Sequence, residues 1–294
     1  MCYNGAMNFS LPSELAEAFP KRPVDLHKYT AGTVTVVGGS ARYVHAPVIA
    51  GLGARSAGAG LVQLVVPNAS RIAAGALVPE ATVTKQTPAC VPPKADVTVI
   101  GMGLGVTPNT EMLLSRLLSG SVGRFVLDAD ALTILAHWYA KADHTLPVVE
   151  GQSLVLTPHA GEAARLLACT SEEVLADRAG ALRAIVARYH AVTVLKGPHT
   201  LVGAPDRPDF FTCEAGNPFM ALGGMGDLLA GILAARWAAL AQRGRDDAFL
   251  AAAAAVWLHA TASDTIVSAT PPEDPSVVNT ARHVASLCVL HERG

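Results

Sequence analysis

Asp227 is the residue whose surroundings in the sequence most demand a chemical explanation. It follows Gly223-Gly224 and Gly226 and precedes Leu228 to Trp237, an apolar run interrupted only by Arg236. A glycine turn that opens a helix directs backbone N–H groups at one point, with the positive end of the helix dipole behind them. That makes an anion site, and a phosphoryl group fits it. A carboxylate beside such a site can take the proton of a hydroxyl that attacks phosphorus. On this reading Asp227 is the catalytic base, and Gly224 and Gly226 frame the anion hole. The plainer role for an acid in a first helical turn is to complement the dipole, worth roughly 0.3–1 kcal/mol; the neighbouring motifs weigh for chemistry.

Other reactive groups fall just after apolar runs. TPHAGE (157–162) opens a helix, and His159 there is either a satisfied turn residue or a group at the working edge of a sheet. Lys196-Gly197 ends another run, and the bend through Pro198, His199 and Thr200 could line a nucleotide's phosphates or base. Alone, Lys196 would be a solvated strand-end charge. In LDADAL, one of Asp128 and Asp130 is expected to cap the next helix. The other, taken as Asp128, reads as a water-mediated contact to magnesium, or to bound phosphates through that ion. GMGLG (101–105) and VVGGSARYVHAP (36–47) give the backbone room for a close ligand. Lys28 is a surface lysine unless the fold carries it to the site.

These groups need a scaffold that gathers strand ends. Runs apolar on both faces recur at 33–40, 61–67, 96–103, 124–130, 153–159 and 191–197, as in strands of a covered parallel sheet. Helical stretches separate them over 47–59, 109–118, 131–140, 161–168 and 172–189, the last opened by a Thr170/Glu173 capping box. After residue 200 a hairpin, TLVG and FFTC around APDRPD, gives way to alanine-rich helices over 224–243, 247–268 and 276–291. The pattern is α/β, with no linker dividing residues 27–294 and with 1–26 as an N-terminal extension. No glycine precedes a lysine, which excludes a P-loop, and GMGLG lacks GxGxxG spacing. Open parallel sheets bind ligands at their strand ends, where these motifs lie.

Composition narrows the class. A net charge of -2, a pI near 6.5 and 22 scattered basic residues argue against a nucleic-acid surface and for small-molecule partners. The five cysteines (Cys2, Cys90, Cys169, Cys213, Cys288) form no metal-ligand spacing and read as reduced, mostly buried thiols of a cytoplasmic protein. The first residues lack a secretory pattern. The most apolar window, Ala248 to Ala262, contains His259 and reads as a buried helix rather than a membrane span.

Taken in order, HKYTAGTVTVVGGSARYVHAP, RSAGAGLVQLVVP, IGMGLG, LDADAL, LTPHAGEAARLL, VLKGPHTLV and GNPFMALGGMGDLLAGILAA resemble the NAD(P)H-hydrate dehydratase family of the ribokinase-like superfamily, over about residues 27–265. The resemblance implies a three-layer α/β/α fold around a mostly parallel sheet. It also implies repair of hydrated NADH or NADPH (NADHX or NADPHX): a nucleotide, ADP in most bacterial members and ATP in eukaryotic ones, phosphorylates the added hydroxyl, and phosphate then leaves. It places the hydrate near Ala46, Gly103, Gly105, His159 and Asp227. The nucleotide would lie against Lys196, Gly197, Pro198, His199, Thr200, Asn217 and Gly226. Magnesium and a homo-oligomer, a tetramer or larger, are further implications. With about 26 residues ahead of the matched stretch, no fused epimerising domain is expected there.

The chain departs from the family's usual small residues at His45, Phe219, Leu222 and Met225. A change at Met225 spares backbone donors, whereas lost side-chain contacts would slow the reaction or shift substrate or nucleotide preference. Two other functions use the same parts: a small-molecule kinase of this fold, acting on a vitamin precursor or sugar, and a nucleotide-binding protein with little turnover. TPHAGE and KGPHT favour the dehydratase over sugar kinases, since both match in position and wording.

Overall fold

The computed structural model describes residues 10–87, 89–90, 92–120, 122–141 and 150–293. In chain order the elements are β1 (Thr33–Val37), α1 (Ala46–Ser56), β2 (Leu61–Val66), α2 (Ser70–Leu77), β3 (Thr82–Lys85), β4 (Val97–Ile100), α3 (Pro108–Gly120), β5 (Arg124–Leu127) and α4 (Asp130–Tyr139). They continue with β6 (Ser153–Leu156), α5 (Ala160–Leu167), α6 (Ser171–Ala176), α7 (Arg178–Tyr189), β7 (Val192–Leu195), β8 (Leu201–Gly203), β9 (Phe211–Thr212), α8 (Met225–Ala241), α9 (Ala248–Ser268) and α10 (Val277–Glu292).

The strands form one sheet in the order β3-β2-β1-β4-β5-β6-β7-β8-β9, parallel as far as β7 and antiparallel over the β7–β8–β9 hairpin. Alternate strand residues face opposite cores. Val36, Val99, Val126, Val155 and Val194 pack with α1, α8, α9 and α10, whereas Val37, Ile100, Leu127, Leu156 and Leu195 pack with α3 to α7. Burial on both faces explains why these strands read as continuous apolar runs. The result is the expected three-layer α/β/α arrangement.

Register carries the strand ends to one level. Val37 pairs with Ile100, Ile100 with Leu127, and Leu127 with Leu156, so Gly38, Gly101, Asp128 and Thr157 all follow at the same edge. At that edge the backbone cannot carry side chains everywhere: Gly101 has φ +128, and a Cβ there would lie 1.9 Å from the Asp128 carbonyl.

The structure differs from the sequence expectation in several places. β3 and α2 carry no clear periodic signal: β3 is a mostly exposed edge strand, TVTK, kept polar where it meets solvent. The helix expected over 172–189 is broken at Asp177, which ends α6 and then caps α7 by accepting from the Gly180 amide at 2.8 Å. Part of the segment before residue 27 joins the core, with Leu15 and Phe19 buried and the Phe19 ring edge-on to Trp257 at 5.8 Å. Cys2 lies outside the described residues. Of the other cysteines, Cys213 and Cys288 are buried, Cys90 and Cys169 half-buried, and all four are free thiols.

α9 is, at 21 residues, long and apolar enough to cross a membrane by length and composition, but it is buried against α8, α10 and the sheet. α8 owes its position to close contact with α1. A Cβ on Gly231 would lie 1.8 Å from the Ala50 carbonyl, and one on Gly53 would lie 2.2 Å from that of Leu228. Gly231→Val is therefore expected to lower stability by at least ~1–3 kcal/mol, the usual penalty of overpacking. A urea midpoint equal to wild type would contradict this packing.

Candidate active site

The strand-edge loops assemble a buried charge cluster. The Lys196 ammonium lies 2.8 Å from Asp128 Oδ1 and 3.7 Å from Glu162 Oε2, with the Lys196 side chain 17% exposed and that of Asp128 only 2%. Thr157 Oγ1 donates to the same Asp128 oxygen at 2.8 Å. Burial alone would lower the Lys196 pKa, but the Asp128 and Glu162 carboxylates, with Asp227 behind them, overcome it and hold the pKa above the ordinary lysine value. A Cβ on Gly226 would sit 3.3 Å from the Lys196 ammonium, so the cluster adjoins the first turn of α8.

Asp227 occupies that first turn. Burial pushes its carboxyl from an ordinary 3.8 up to about 7; the Asp128 and Glu162 charges add to the rise, and Lys196 opposes it. A base poised near neutrality suits proton abstraction. Gly224, at φ +96, brings the chain into the helix against Ile49 of α1 and Val277 of α10. The Met225 amide bonds the Leu222 carbonyl at 3.3 Å and that of Leu228 bonds Gly224, while the amides of Gly226 and Asp227 find no acceptor among the described residues. Two free donors and the dipole thus converge where the sequence placed the anion hole.

His159 is the N-cap of α5. Its Nδ1 accepts from the amides of Gly161 (3.0 Å) and Glu162 (3.3 Å), and Nε2 lies 3.4 Å from Glu162 Oε1. Glu162 returns a bond to the His159 amide, completing a capping box. Burial, helped by the Lys196 and Arg165 charges and opposed by Glu162 and Asp128, keeps the His159 pKa below its ordinary value. A neutral ring whose Nδ1 accepts carries its proton on Nε2.

The bend after β7 holds Gly197 at φ +143 and His199 at φ +50. His199 Nδ1 meets Glu214 Oε2 at 3.0 Å, Thr200 Oγ1 donates to the Gly197 carbonyl at 2.9 Å, and Arg178 grips the carbonyls of Leu195, Pro198 and His199. Asn217 is fixed from α9: its Nδ2 donates to Asp264 Oδ1 (2.8 Å) and Ser263 Oγ (3.1 Å), and the Gly216 amide donates to Asp264 Oδ2.

On the other side, Ala46 is the first residue of α1, one turn before Ile49. Gly103 (φ +61) abuts Tyr43 in the loop leading to it, since a Cβ there would lie 2.4 Å from the Tyr43 Cβ. The Gly105 amide donates to Asp130 Oδ2 at 2.7 Å, its carbonyl accepts from Thr110, and a Cβ added there would meet nothing within 4 Å.

One expectation is corrected. Neither Asp128 nor Asp130 caps α4. Ala129, at φ 51 and ψ -116, turns the chain so that Asp130 becomes the first helical residue and aims at Gly105, while Asp128 turns to Lys196 and Thr157. Lys28 is the exposed surface lysine expected of it: its carbonyl packs against Gly60, ahead of β2, at the edge where the parallel strands begin. The departures from small residues also separate. Met225 is buried in the core rather than aimed at the turn, whereas Phe219 and Leu222 stand exposed beside it.

Sequence reasoning missed Glu162, Thr157, Arg178 and Asp264. Glu162 was visible as the acid three residues after His159, a capping-box spacing, and Asp264 as an acid inside an alanine-rich run. Arg178 carried no signal.

Comparison with known proteins gives this geometry its kin. The family model described as NAD(P)H-hydrate dehydratase matches residues 34–277. The chain is 40% identical over 257 residues to an ADP-dependent (S)-NAD(P)H-hydrate dehydratase of Neisseria meningitidis, covering 84% of this chain and 81% of that protein. It is 37% identical to a bifunctional NAD(P)H-hydrate repair enzyme of Gloeobacter violaceus, over 86% of this chain but only 49% of that protein, so it spans about half the length of such bifunctional relatives. An ADP/ATP-dependent NAD(P)H-hydrate dehydratase of Bacillus subtilis, co-crystallised with ATP and magnesium, superposes with a TM-score of 0.81 at 26% identity, covering 98% of this chain and all of that one. A ribokinase-like superfamily protein of Enterococcus faecalis superposes at 0.78, with 25% identity over 96% of this chain and 95% of that one. This chain therefore belongs to the NAD(P)H-hydrate dehydratase family and carries its ribokinase-like fold.

Proposed function

We propose that this chain dehydrates hydrated NADH or NADPH with ADP, or ATP, as phosphoryl donor, regenerating the reduced dinucleotide as a metabolite-repair lyase. The observation that carries the proposal is Asp227: a carboxyl raised by burial to about 7 beside two unclaimed amides at the start of α8. In this reading the hydrate lies among Ala46, Gly103, Gly105 and His159, with its ring hydroxyl toward Asp227. Asp227 takes the hydroxyl proton, the oxygen attacks the terminal phosphorus, and the bond to the departing nucleotide breaks. The Gly226 and Asp227 amides hold the charge that gathers on the phosphoryl oxygens. Phosphate, a far better leaving group than hydroxide, then departs with the C–O electron pair while the neighbouring ring carbon gives up a proton to water, and the ring double bond re-forms.

The donor is proposed to rest on Lys196 to Thr200, Asn217 and Gly226. Among the described residues no three histidine, cysteine, aspartate or glutamate side chains converge to hold a metal ion, and Asp128 Oδ1 is engaged by Lys196 and Thr157. Magnesium thus fits as a companion of the donor's phosphates rather than as an ion held by Asp128. A cytoplasmic location accords with the free thiols of the four described cysteines. A homo-oligomer, a tetramer or larger, completes the reading as the family resemblance implies it.

The test is incubation with hydrated NADH or NADPH and each nucleotide in turn. Recovery of reduced-nicotinamide absorbance with ADP or ATP supports the proposal, and no recovery with either sinks it. A stable phosphorylated product would instead identify a kinase that stops short of elimination. Because Asp227 must be ionised, kcat/KM should fall about tenfold per pH unit below about 7. A profile flat from pH 5 to 8 would exclude it as the base.

A further inference from the structure

We infer that Arg178 is a positioning residue for the phosphoryl donor, shaping the 197–200 bend by holding its carbonyls from behind. The inference rests on the nucleotide part of the reading above and not on the identity of the hydrate. The bend joins β7 to β8 through backbone that side chains disfavour, with Gly197 at φ +143 and His199, a residue with a Cβ, at φ +50. Such conformations persist where the surroundings over-determine them.

Arg178 supplies that determination. One guanidinium nitrogen donates to the Leu195 carbonyl at 3.1 Å, and the other donates to the carbonyls of Pro198 and His199. A Cβ on Gly197 would lie 3.2 Å from the guanidinium, so the side chain sits directly against the bend. With Thr200 Oγ1 on the Gly197 carbonyl, the carbonyls of residues 195, 197, 198 and 199 are all claimed. The amides of Gly197, His199 and Thr200, by contrast, have no acceptor among the described residues. A bend with bound carbonyls and free N–H groups is an anion-binding concavity. The positive guanidinium behind it adds to the field while its donors are committed to the carbonyls. The break between α6 and α7 makes this possible: Asp177 caps the Gly180 amide, which sets Arg178 as the first residue of α7, facing the bend.

Arg178→Lys keeps the charge but replaces a planar fork with one compact donor group that cannot span the bend; Arg178→Met removes both. Calorimetric binding of ADP and ATP and steady-state kinetics, on the full chain, give the readouts. Nucleotide binding should weaken roughly tenfold in Arg178→Lys and further in Arg178→Met, because the free bend must then be ordered on binding. Nucleotide KM should rise to match, with kcat at saturation and hydrate KM within about threefold of wild type. Amides 197–200 should exchange hydrogen faster in both variants. Unchanged nucleotide affinity in both variants would overturn the inference. So would equal losses of kcat, hydrate affinity and nucleotide affinity in Arg178→Lys, the mark of general structural damage. If wild type binds ADP or ATP without turning over any hydrate, the functional reading fails while the binding data still judge Arg178. If wild type binds neither nucleotide, both fall.

Discussion

Asp227→Asn should slow turnover by about 10²- to 10⁴-fold, the usual contribution of a positioned general base, and leave nucleotide affinity nearly unchanged. The amide side chain keeps the size of the carboxyl but cannot accept the hydroxyl proton. The Gly226 and Asp227 backbone amides survive the change, so the anion hole remains. Stability should move the other way. The folded chain holds the Asp227 proton up to about pH 7, against 3.8 for an ordinary aspartate, so the stability tied to that proton is complete below about pH 4 and lost as pH rises through 7. Above pH 7 the folded protein carries a desolvated carboxylate beside Asp128 and Glu162, a cost an uncharged Asn escapes. The variant should therefore match or exceed wild type in urea midpoint at pH 8, and the gap should close at pH 4. A loss of both rate and midpoint at pH 8 would mean that Asp227 holds the fold instead of running the chemistry.

Lys196→Met should be the most damaging change to stability at the site, by about 3–5 kcal/mol, because it strips a buried pair of its cation. Asp128, 2% exposed and 2.8 Å from the ammonium, would be left with Thr157 as its remaining side-chain donor, and Glu162 and Asp227 would lose the same neutralising charge. The kinetic consequence is separate. Lys196 is the group that opposes the upward shift of Asp227, so without it the acid limb of the rate profile should move above 7. Urea denaturation and the pH profile of residual activity check the two effects independently. A wild-type midpoint with an unmoved limb would show that Lys196 is a solvated strand-end charge, the plainer reading of the sequence.

The contrast between Lys196 and Asp227 marks what the sequence could disclose. Asp227 stood out because an acid between glycines and an apolar helix has few local uses. The parallel sheet was legible for a similar reason: β1, β4, β5, β6 and β7 are buried on both faces and read as unbroken apolar runs. Edge strand β3 is exposed and escaped notice. Lys196 was expected to line a nucleotide, and nothing in its local spacing pointed to its ion-pair partners. Asp128 and Glu162 lie 68 and 34 residues away, and only the register of β5, β6 and β7 brings them to one ammonium. Asp130 was expected among the capping possibilities because a strand-end acid usually serves that purpose, yet the positive φ of Ala129 redirected it to Gly105. Arg178 and Asp264 act on backbone far away in sequence, through the Pro198 carbonyl and the Gly216 amide, and no local spacing announces such bonds.

The central claim is that the ring hydroxyl itself receives the phosphoryl group beside Asp227. Hydrate prepared in ¹⁸O-water carries the label in that hydroxyl, and its fate separates the possibilities in one measurement. If the hydroxyl oxygen attacks phosphorus and the phosphate is later eliminated, each inorganic phosphate formed with reduced dinucleotide will contain one ¹⁸O atom. Label recovered in water, with unlabelled phosphate, would contradict the account.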